Sequence, residues 1–495
     1  MDGKPDLPAG LGAAPGAGIY PLQPGQVVDG FRLEEKLHQG GMATLWRVRR
    51  VGAQGPGSDS ADVMPLIMKL PLTRAGEDAV SLVGFEVESM ILPMLGGPHV
   101  PALVAKGDFT RQPYIVMEHI AGTSLKARFD AAPLGLDEVA DLGVRVATAL
   151  HALHRQHLVH LDVKPSNFLE RPDGTVVVVD FGLSRHAQLP DLLEEELVLP
   201  MGTGPYMAPE QVQFVRGDAR SDIFALGVML YQFTTGERPF GAPTSVRGLR
   251  RRLVLEPVPP RALRPDCPPW LQEVILKCLE VSPSQRYQSA AQLAMALQDP
   301  VQVPLTQRAH KLRRSGAYTH LKRWFQALGH APEASLPSVQ LQLQRHPIIL
   351  VAVDLQDASA ALLDPLRESA RRLLLTEPGA RLACACVMRT ARTGKDETAA
   401  GSSQSQHLNQ LVKLKHWARP IQQSLKLDDG RLTFHVLDAP DAAAAIIDFA
   451  HRNGVDHIVM GARGNSVLRR YLGSVSSQVV ARADCSVTVV RAAPR

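Results

Sequence analysis

The stretch His160-Leu161-Asp162-Val163-Lys164-Pro165-Ser166-Asn167 decides the fold, and Asp180-Phe181-Gly182 begins thirteen residues after its asparagine. Between them lies Val176-Val177-Val178-Val179, a β-branched run that predicts a short strand ending at Asp180. One hairpin-like unit would therefore present two carboxylates and a carboxamide together. Phosphoryl transfer needs such groups, because one carboxylate orients and deprotonates the attacking hydroxyl while oxygen ligands hold Mg²⁺ on the phosphates.

Length and composition set the broad class of the protein. A chain of 495 residues exceeds what one core usually organises, so we expect at least two domains. The net charge of +5 is small for this length and gives no case for nucleic-acid binding. Five cysteines without a C-x-x-C pair indicate a reducing compartment, and Cys384 and Cys386 are predicted to be core residues on one strand face. Since neither a membrane-spanning run nor a signal peptide is found, we expect a cytoplasmic protein.

The opening motifs resemble the catalytic loop and metal-binding motif of protein kinases. The resemblance implies that Asp162 is the catalytic base, that Lys164 is a cation near the transferred phosphate, and that Asn167 and Asp180 bind Mg²⁺, or alternatively Mn²⁺. Lys164, two residues after the aspartate, is similar to serine/threonine rather than tyrosine kinases. The kinase domain would span residues 31–298, after a Gly/Pro/Ala-rich lead-in over residues 1–24 that is predicted to be disordered.

The residues before the catalytic loop match the nucleotide-binding parts of the same family. Lys69 follows an apolar strand, as the family's phosphate-contacting lysine does, and its implied partner is Glu88, with Glu86 as the alternative. His38 stands where the related bacterial kinases carry the first glycine of the nucleotide-covering hairpin. The ATP-binding residues that the resemblance implies are Leu37, His38, Gln39, Gly40, Gly41, Met42, Ala43, Thr44, Leu45, Lys69, Met117, Glu118, His119 and Ile120.

The activation segment, residues 183–207, departs from the family pattern. The arginine that usually precedes the catalytic aspartate, and pairs with a phosphorylated residue, is Leu161. Only Ser184 and Thr203 carry aliphatic hydroxyls in the segment, and Thr203 belongs to the turn implied to dock the substrate. The run Glu194-Glu195-Glu196 is expected to supply permanent negative charge. We therefore hypothesise that activity does not require phosphorylation of this segment.

Residues 299–345 form a basic linker with a candidate amphipathic helix. From residue 308 to residue 325 there are six Lys or Arg and no acidic residue, and apolar residues of 321–328 recur at helical spacing. Such a helix could bind an anionic membrane surface or a partner groove, or pack on the kinase domain as a linker helix. The short apolar face favours the linker helix.

The C-terminal part alternates fully apolar strands with helices, which predicts a parallel sheet covered on both faces. Over residues 346–491 it resembles the universal stress protein family, whose nucleotide-binding members carry G-x-x-G, nine residues, then G-S/T. Here eight residues separate the two parts. The resemblance implies ATP or ADP binding, or dimerisation, and the implied nucleotide contacts are Asp354, Gly461, Gly464, Gly473 and Ser474.

The sequence thus predicts a multidomain protein, with a bilobal α+β kinase fold followed by a doubly wound parallel α/β domain. The predicted function is serine/threonine protein phosphorylation with Mg·ATP, regulated by the C-terminal domain. The rival interpretation is a catalytically inactive nucleotide-responsive scaffold, motivated by His38 and Leu161. A small-molecule kinase is disfavoured because residues 202–210 match a polypeptide-docking turn.

Overall fold

The computed structural model describes residues 22–40, 43–51, 64–71, 79–107, 112–196, 200–313, 346–355, 360–389, 400–462 and 474–491. Predictions that concern the lead-in up to residue 21, Gly41, Met42, residues 314–345, Gly464 and Gly473 lie outside these residues. Among the described helices, none is both long and apolar enough to cross a membrane.

A six-stranded antiparallel sheet forms the first part of the structure. Its strand order is β1-β2-β3-β4-β6-β5, and helix α1 follows β4 in the chain. Side chains of β2 alternate, with Phe31 and Leu33 buried and Arg32 exposed, as expected of a sheet with one solvated face. These elements are β1 (Val27–Val28), β2 (Phe31–Gln39), β3 (Ala43–Arg50), β4 (Leu66–Pro71), α1 (Ala79–Ile91), β5 (Leu103–Gly107) and β6 (Tyr114–Glu118).

A mainly helical part follows, built around α3. The predicted apolar stripe of this helix is buried, including Val139, Leu142, Val146, Leu150 and Leu153, and it packs on α6 and α10. The elements are β7 (Thr123–Ser124), α2 (Lys126–Asp130), α3 (Leu136–His154), β8 (Leu158–Val159), β9 (Phe168–Glu170), β10 (Val176–Val178), β11 (Arg185–His186), α4 (Leu192–Glu196), α5 (Pro209–Val212), α6 (Arg220–Thr235), α7 (Val246–Arg250), α8 (Pro260–Leu263), α9 (Pro269–Cys278), α10 (Ala290–Gln298) and α11 (Gln307–His310).

The hairpin predicted from the valine run is present. Strands β9 and β10 pair antiparallel, with Phe168 opposite Val178, so the end of the catalytic loop and the start of Asp180-Phe181-Gly182 lie side by side. A backbone hydrogen bond of 2.9 Å from Val179 N to Asn167 O fixes their spacing. The sheet register, rather than chance proximity, therefore places Asn167 and Asp180 at one site.

The C-terminal part is a five-stranded sheet in the order β14-β13-β12-β15-β16, with every neighbouring pair parallel. The predicted doubly wound α/β fold is confirmed. One face packs against α12 and α13 and the other against α14 and α15. The elements are β12 (Ile348–Ala352), α12 (Ala360–Thr376), β13 (Arg381–Arg389), α13 (Ala400–Leu425), β14 (Leu432–Ala439), α14 (Ala442–Arg452), β15 (His457–Ala462), α15 (Ser474–Arg482) and β16 (Ser486–Arg491).

Cys384 and Cys386 are buried on the same face of β13, as predicted, and neither forms a disulfide. In the linker, the described start of the basic stretch packs on the helical part. Ala309 is fully buried, and Arg308 forms ion pairs of 3.0 Å with Glu273 and 2.8 Å with Glu280. The predicted amphipathic residues 321–328 lie outside the described chain.

Candidate active site

Lys69 lies within β4, and its ammonium group contacts two carboxylates. Lys69 Nζ is 2.5 Å from Glu88 Oε2 and 3.0 Å from Asp180 Oδ1. Residues two apart on a helix face different directions. Accordingly, Glu88 points to Lys69, whereas Glu86, the alternative partner, pairs with Lys415 of the C-terminal domain.

The electrostatics of this cluster keep Lys69 and Asp180 charged. Attraction to Lys69 lowers the pKa of Asp180 to about 2, against the opposing effect of burial. Burial alone would lower the pKa of Lys69, but Asp180 and Glu88 together raise it above its ordinary value. At neutral pH the site therefore holds an ionised Asp180 beside a charged lysine, which suits the binding of a metal and of phosphate oxygens.

Asp162 collects hydrogen bonds from three functional residues. Lys164 Nζ lies 2.6 Å from its Oδ2, Thr203 Oγ1 donates to its Oδ1 at 2.6 Å, and Thr203 N donates to the same oxygen at 2.9 Å. Asn167 Nδ2 donates to Asp162 O at 3.0 Å. The carboxylate predicted to act as base is thus tied to the turn predicted to dock the substrate.

The catalytic loop is braced from α6. Asp222 accepts hydrogen bonds from His160 N at 2.9 Å and Leu161 N at 2.8 Å. Leu161 is buried with φ 63°, a conformation that a leucine seldom adopts. This backbone conformation is held on both sides of the residue. Leu161 N donates to Asp222, and Leu161 O accepts a hydrogen bond of 2.8 Å from Gln211 Nε2.

A buried ion pair anchors the docking turn to the helical part. Arg286 Nη1 and Nη2 lie 2.7 and 2.8 Å from the two carboxylate oxygens of Glu210, in bidentate geometry. The pair holds the end of the docking turn against the segment that precedes α10.

The donor set around Asn167 and Asp180 fits Mg²⁺. Asn167 directs its Nδ2 at Asp162 O, which leaves the carboxamide oxygen as the ligand-type atom, and Asp180 contributes an ionised carboxylate. Among the described residues there is no group of three or more His, Cys, Asp or Glu suited to a metal. A magnesium ion here would therefore take its other ligands from water and phosphate, as is usual where the substrate carries the metal.

The residues around Lys69 and the residues around Asp162 line one cavity of about 160 Å³. Its walls come from β3, β4, α1, the catalytic loop and the activation segment. The polar or charged side chains in the lining are those of Lys69, Ser81, Glu88, Asp162, Lys164, Asp180 and Thr203.

The predicted nucleotide-covering hairpin joins β2 to β3 next to this cavity. His38 pairs with Leu45 and Gln39 with Thr44 across the two strands. The residues predicted to contact the nucleotide, from residue 37 to residue 45, therefore include the ends of both strands and the turn between them. Gly40 N donates to Ala43 O at 3.0 Å. The His38 side chain is exposed, and Ala43 lines the cavity.

The segment after β6 connects the sheet to the helical part. Met117 and Ile120 are buried, whereas the Glu118 carboxylate lies 2.7 Å from Arg171. His119 N donates to Pro65 O at 2.7 Å, so this amide is engaged within the protein. The remaining backbone groups of the segment are the candidates for contacting an adenine.

The second predicted site is described only in part. Asp354 is exposed just after β12, and Ser474 begins α15. A Cβ at Gly461 would lie 2.7 Å from Leu362 Cδ2, so close packing against α12 favours a glycine there. The structure therefore gives Gly461 a packing role, and the other two glycines lie outside the described residues.

Three residues of the C-terminal domain that sequence analysis did not single out meet the activation segment and α1. Arg381 Nη1 lies 2.7 Å from Glu195 Oε1, His435 Nδ1 lies 3.1 Å from Glu196 Oε1, and Lys415 pairs with Glu86. No local pattern marks them, because each partner is more than 180 positions away in the chain.

The expectation of permanent negative charge along Glu194-Glu195-Glu196 is wrong for its last member. Burial, reinforced by Glu86 and Asp438, raises the pKa of Glu196 to about 8, so this side chain is largely neutral at pH 7. Burial lowers the pKa of His435 to about 4. The contact between them is consequently a hydrogen bond between a neutral carboxyl group and a neutral imidazole.

Comparison with known families supports the division seen in the structure. Residues 83–300 match the family model of the protein kinase domain, and residues 346–491 match that of the universal stress protein family.

Among characterised relatives, serine/threonine-protein kinase PknB of Mycolicibacterium smegmatis is 30% identical over 275 residues, covering 54% of this chain and 43% of that protein. The tyrosine-protein kinase MasK of Myxococcus xanthus is 32% identical over 295 residues, covering 57% of this chain and 44% of that protein. The matched region thus spans less than half the length of these relatives. The crystal structure of the Mycobacterium tuberculosis PknI kinase domain superposes with a TM-score of 0.43 at 24% identity, over 56% of this chain and 99% of that structure.

Proposed function

We propose that the chain transfers the γ-phosphate of ATP to serine or threonine hydroxyls of other proteins, since residues 83–300 match the protein kinase domain and residues 346–491 match the universal stress protein family. One observation carries the proposal. The Lys69–Glu88–Asp180 cluster and the Asp162–Lys164–Thr203 cluster line the same cavity.

Each cluster performs one part of the transfer. Lys69, held by Glu88, would contact the phosphates of the nucleotide, and Asn167 and Asp180 would hold a Mg²⁺ ion, which would supply positive charge to neutralise those phosphates. Asp162 accepts the proton of the attacking hydroxyl, and Lys164, 2.6 Å from Asp162, stabilises negative charge on the transferred group. The backbone of Glu118 to Ile120 and the hairpin from Leu37 to Leu45 enclose the nucleotide.

The experiment compares the wild-type chain with Asp162→Asn in the presence of Mg²⁺, γ-labelled ATP and a mixture of protein substrates. Wild type incorporates label on serine and threonine, whereas Asp162→Asn, which keeps the shape but not the basicity, incorporates almost none. Equal incorporation by both proteins, or none by either, would contradict the enzyme proposal. Label mainly on tyrosine would contradict its substrate class.

The alternative of a nucleotide-responsive scaffold rests on His38 and Leu161, which replace residues usual in active kinases. The arrangement of Lys69, Glu88 and Asp162 favours the enzyme. A wild-type chain that binds ATP with Mg²⁺ but transfers no phosphate would establish the scaffold instead.

For the C-terminal domain we extend the proposal to regulation, through binding of ATP or ADP or through homodimerisation. Asp354 and Ser474 support the nucleotide version, because Asp354 follows the carboxyl end of the parallel strand β12 and Ser474 begins α15, where backbone N–H groups can bind phosphate. The test is equilibrium binding of ADP to the full chain. A second bound nucleotide that Asp354→Ala abolishes supports this version, and a single nucleotide in both proteins contradicts it.

A further inference from the structure

The C-terminal domain contacts two elements of the kinase domain that control its active site. On the kinase side are α1 and α4, and on the other side are β14, α13 and the first residue of β13. We call this contact the junction and define its polar core by Glu86, Glu195, Glu196, Arg381, Lys415 and His435.

The polar contacts of the junction are buried. The side chains of Arg381 and Glu195 are 9% and 11% exposed, those of Lys415 and Glu86 are 13% and 14% exposed, and that of His435 is fully buried. Removing one partner of a buried ion pair is costly, because the other charge is left buried and unpaired. These pairs therefore fix where α1 and α4 lie relative to the C-terminal domain.

Helix α1 links the junction directly to the Lys69 cluster. Glu86 pairs with Lys415 on one side of the helix, and two residues later Glu88 pairs with Lys69 on another side. The same helix touches the metal-binding motif, since a Cβ at Gly84 would lie 3.1 Å from Gly182 O. A shift of α1 away from the C-terminal domain would consequently separate Glu88 from Lys69.

Helix α4 links the junction to the docking turn. Leu192 and Leu193 of α4 are buried in a hydrophobic cluster that also contains Leu432 of β14. Seven residues after α4, Thr203 binds the Asp162 carboxylate. Anchoring α4 therefore restrains the segment that ends on the catalytic aspartate.

Among the described residues, the activation segment has no anchor that depends on a phosphate, and its other contacts, such as Asp191 with Arg216 and Met207 O with Arg252, lie within the kinase domain. Leu161 stands where an arginine would meet a phosphorylated residue, and it is buried. Ser184 is also buried and donates to His160 O at 3.1 Å, and Thr203 is engaged by Asp162. Glu195 instead meets a guanidinium group from another domain, that of Arg381.

We propose that the C-terminal domain is a built-in activator of the kinase, in which Arg381 and Lys415 are positioning residues that hold α4 and α1 in the arrangement competent for phosphoryl transfer. This inference rests on the proposed kinase function. In this arrangement the ion pair between Glu195 and Arg381 takes the place of the phosphate-dependent ion pair that Leu161 cannot form.

The test measures steady-state phosphoryl transfer by full-length Arg381→Gln and Lys415→Gln. We expect kcat to fall roughly tenfold in each, the size of a typical coupling between sites, with a smaller change in the KM for ATP. Hydrogen exchange should accelerate in residues 79–91 and 192–196 and stay unchanged in β12 and β15. Arg372→Gln is the matched control, because Arg372 belongs to the same domain and is 74% exposed.

Charge reversal separates positioning from a merely structural role. Glu86→Lys and Lys415→Glu should each lower kcat, and the double variant should recover most of it, because the pair is restored with its charges exchanged. If Arg381→Gln fails to fold, as judged by thermal unfolding, the Lys415 and Glu86 variants decide the question.

The outcomes distinguish this inference from the function on which it rests. An inactive wild type would defeat the kinase proposal itself. An active wild type whose folded Lys415→Gln and charge-swapped variants match Arg372→Gln in kcat and in hydrogen exchange would overturn the activator role alone.

Discussion

Thr203 connects the docking turn to Asp162 through both its hydroxyl and its backbone amide. Its hydroxyl donates to Asp162 Oδ1 at 2.6 Å while Lys164 Nζ, 3.1 Å away, contacts the same hydroxyl. The short O–H···O⁻ hydrogen bond orients the carboxylate toward the cavity. Thr203 is therefore a positioning residue in this account, rather than a phosphorylation switch.

This role predicts different outcomes for two substitutions. Thr203→Ala removes the donor, so kcat should fall by about tenfold or more, whereas Thr203→Ser keeps the hydroxyl and should retain most of the activity. Steady-state rates with a fixed protein substrate measure both. Equal loss in the two variants would show that the methyl group, not the hydrogen bond, matters.

The polar residues of the candidate active site could be predicted from the sequence for a physical reason. Asp162, Asn167 and Asp180 lie on one hairpin, so their spacing along the chain is fixed by the local geometry that the chemistry needs. Arg381 and His435 were not accessible, because their partners come from a different domain. Contacts between residues of different domains cannot be predicted from their spacing along the chain, and they are visible only in the tertiary structure.

Helix α4 contains a carboxyl group whose ionisation is linked to stability. Glu196 contacts His435 and lies near Glu86, His407 and Asp438, and its pKa is raised from 4.5 to about 8, first by burial. Between about pH 4.5 and 8 the folded chain binds a proton that the unfolded chain has released. The free energy of unfolding therefore decreases as pH rises through this window.

Glu196→Gln should remove that decrease, since the amide is neutral at every pH. We expect the variant to melt about 2–4 °C above wild type at pH 8 and close to wild type at pH 5, measured by thermal unfolding of the full chain. Glu194→Gln is the control because Glu194 is exposed on the same helix. A variant that melts below wild type at pH 8 would contradict the buried neutral carboxyl group.

The elements that sequence analysis recognised are those with uninterrupted patterns. The strands of residues 348–352 and 457–462 are nearly continuous apolar runs, and α3 carries a regular apolar stripe. Strand β14 (Leu432–Ala439) was missed because Thr433 and His435 interrupt its apolar pattern, although both are buried. Their polar groups bond to each other at 3.0 Å, a pairing that no periodicity predicts.

In the whole molecule, the kinase site and the C-terminal domain are joined by α1 and α4. The two-domain architecture was predictable, because each family leaves its own motifs in the sequence. The way the domains meet was not, since it depends on Glu86, Glu195 and Glu196 finding partners more than 180 residues away.

We predict that the chain transfers phosphate without first being phosphorylated. A progress curve of the phosphatase-treated full chain with Mg·ATP and a protein substrate tests this prediction. Transfer should begin without a lag, at a rate that prior incubation with ATP does not raise, and Asp162→Asn should show no transfer. A lag that ends only as phosphate accumulates on residues 183–207 would contradict the account.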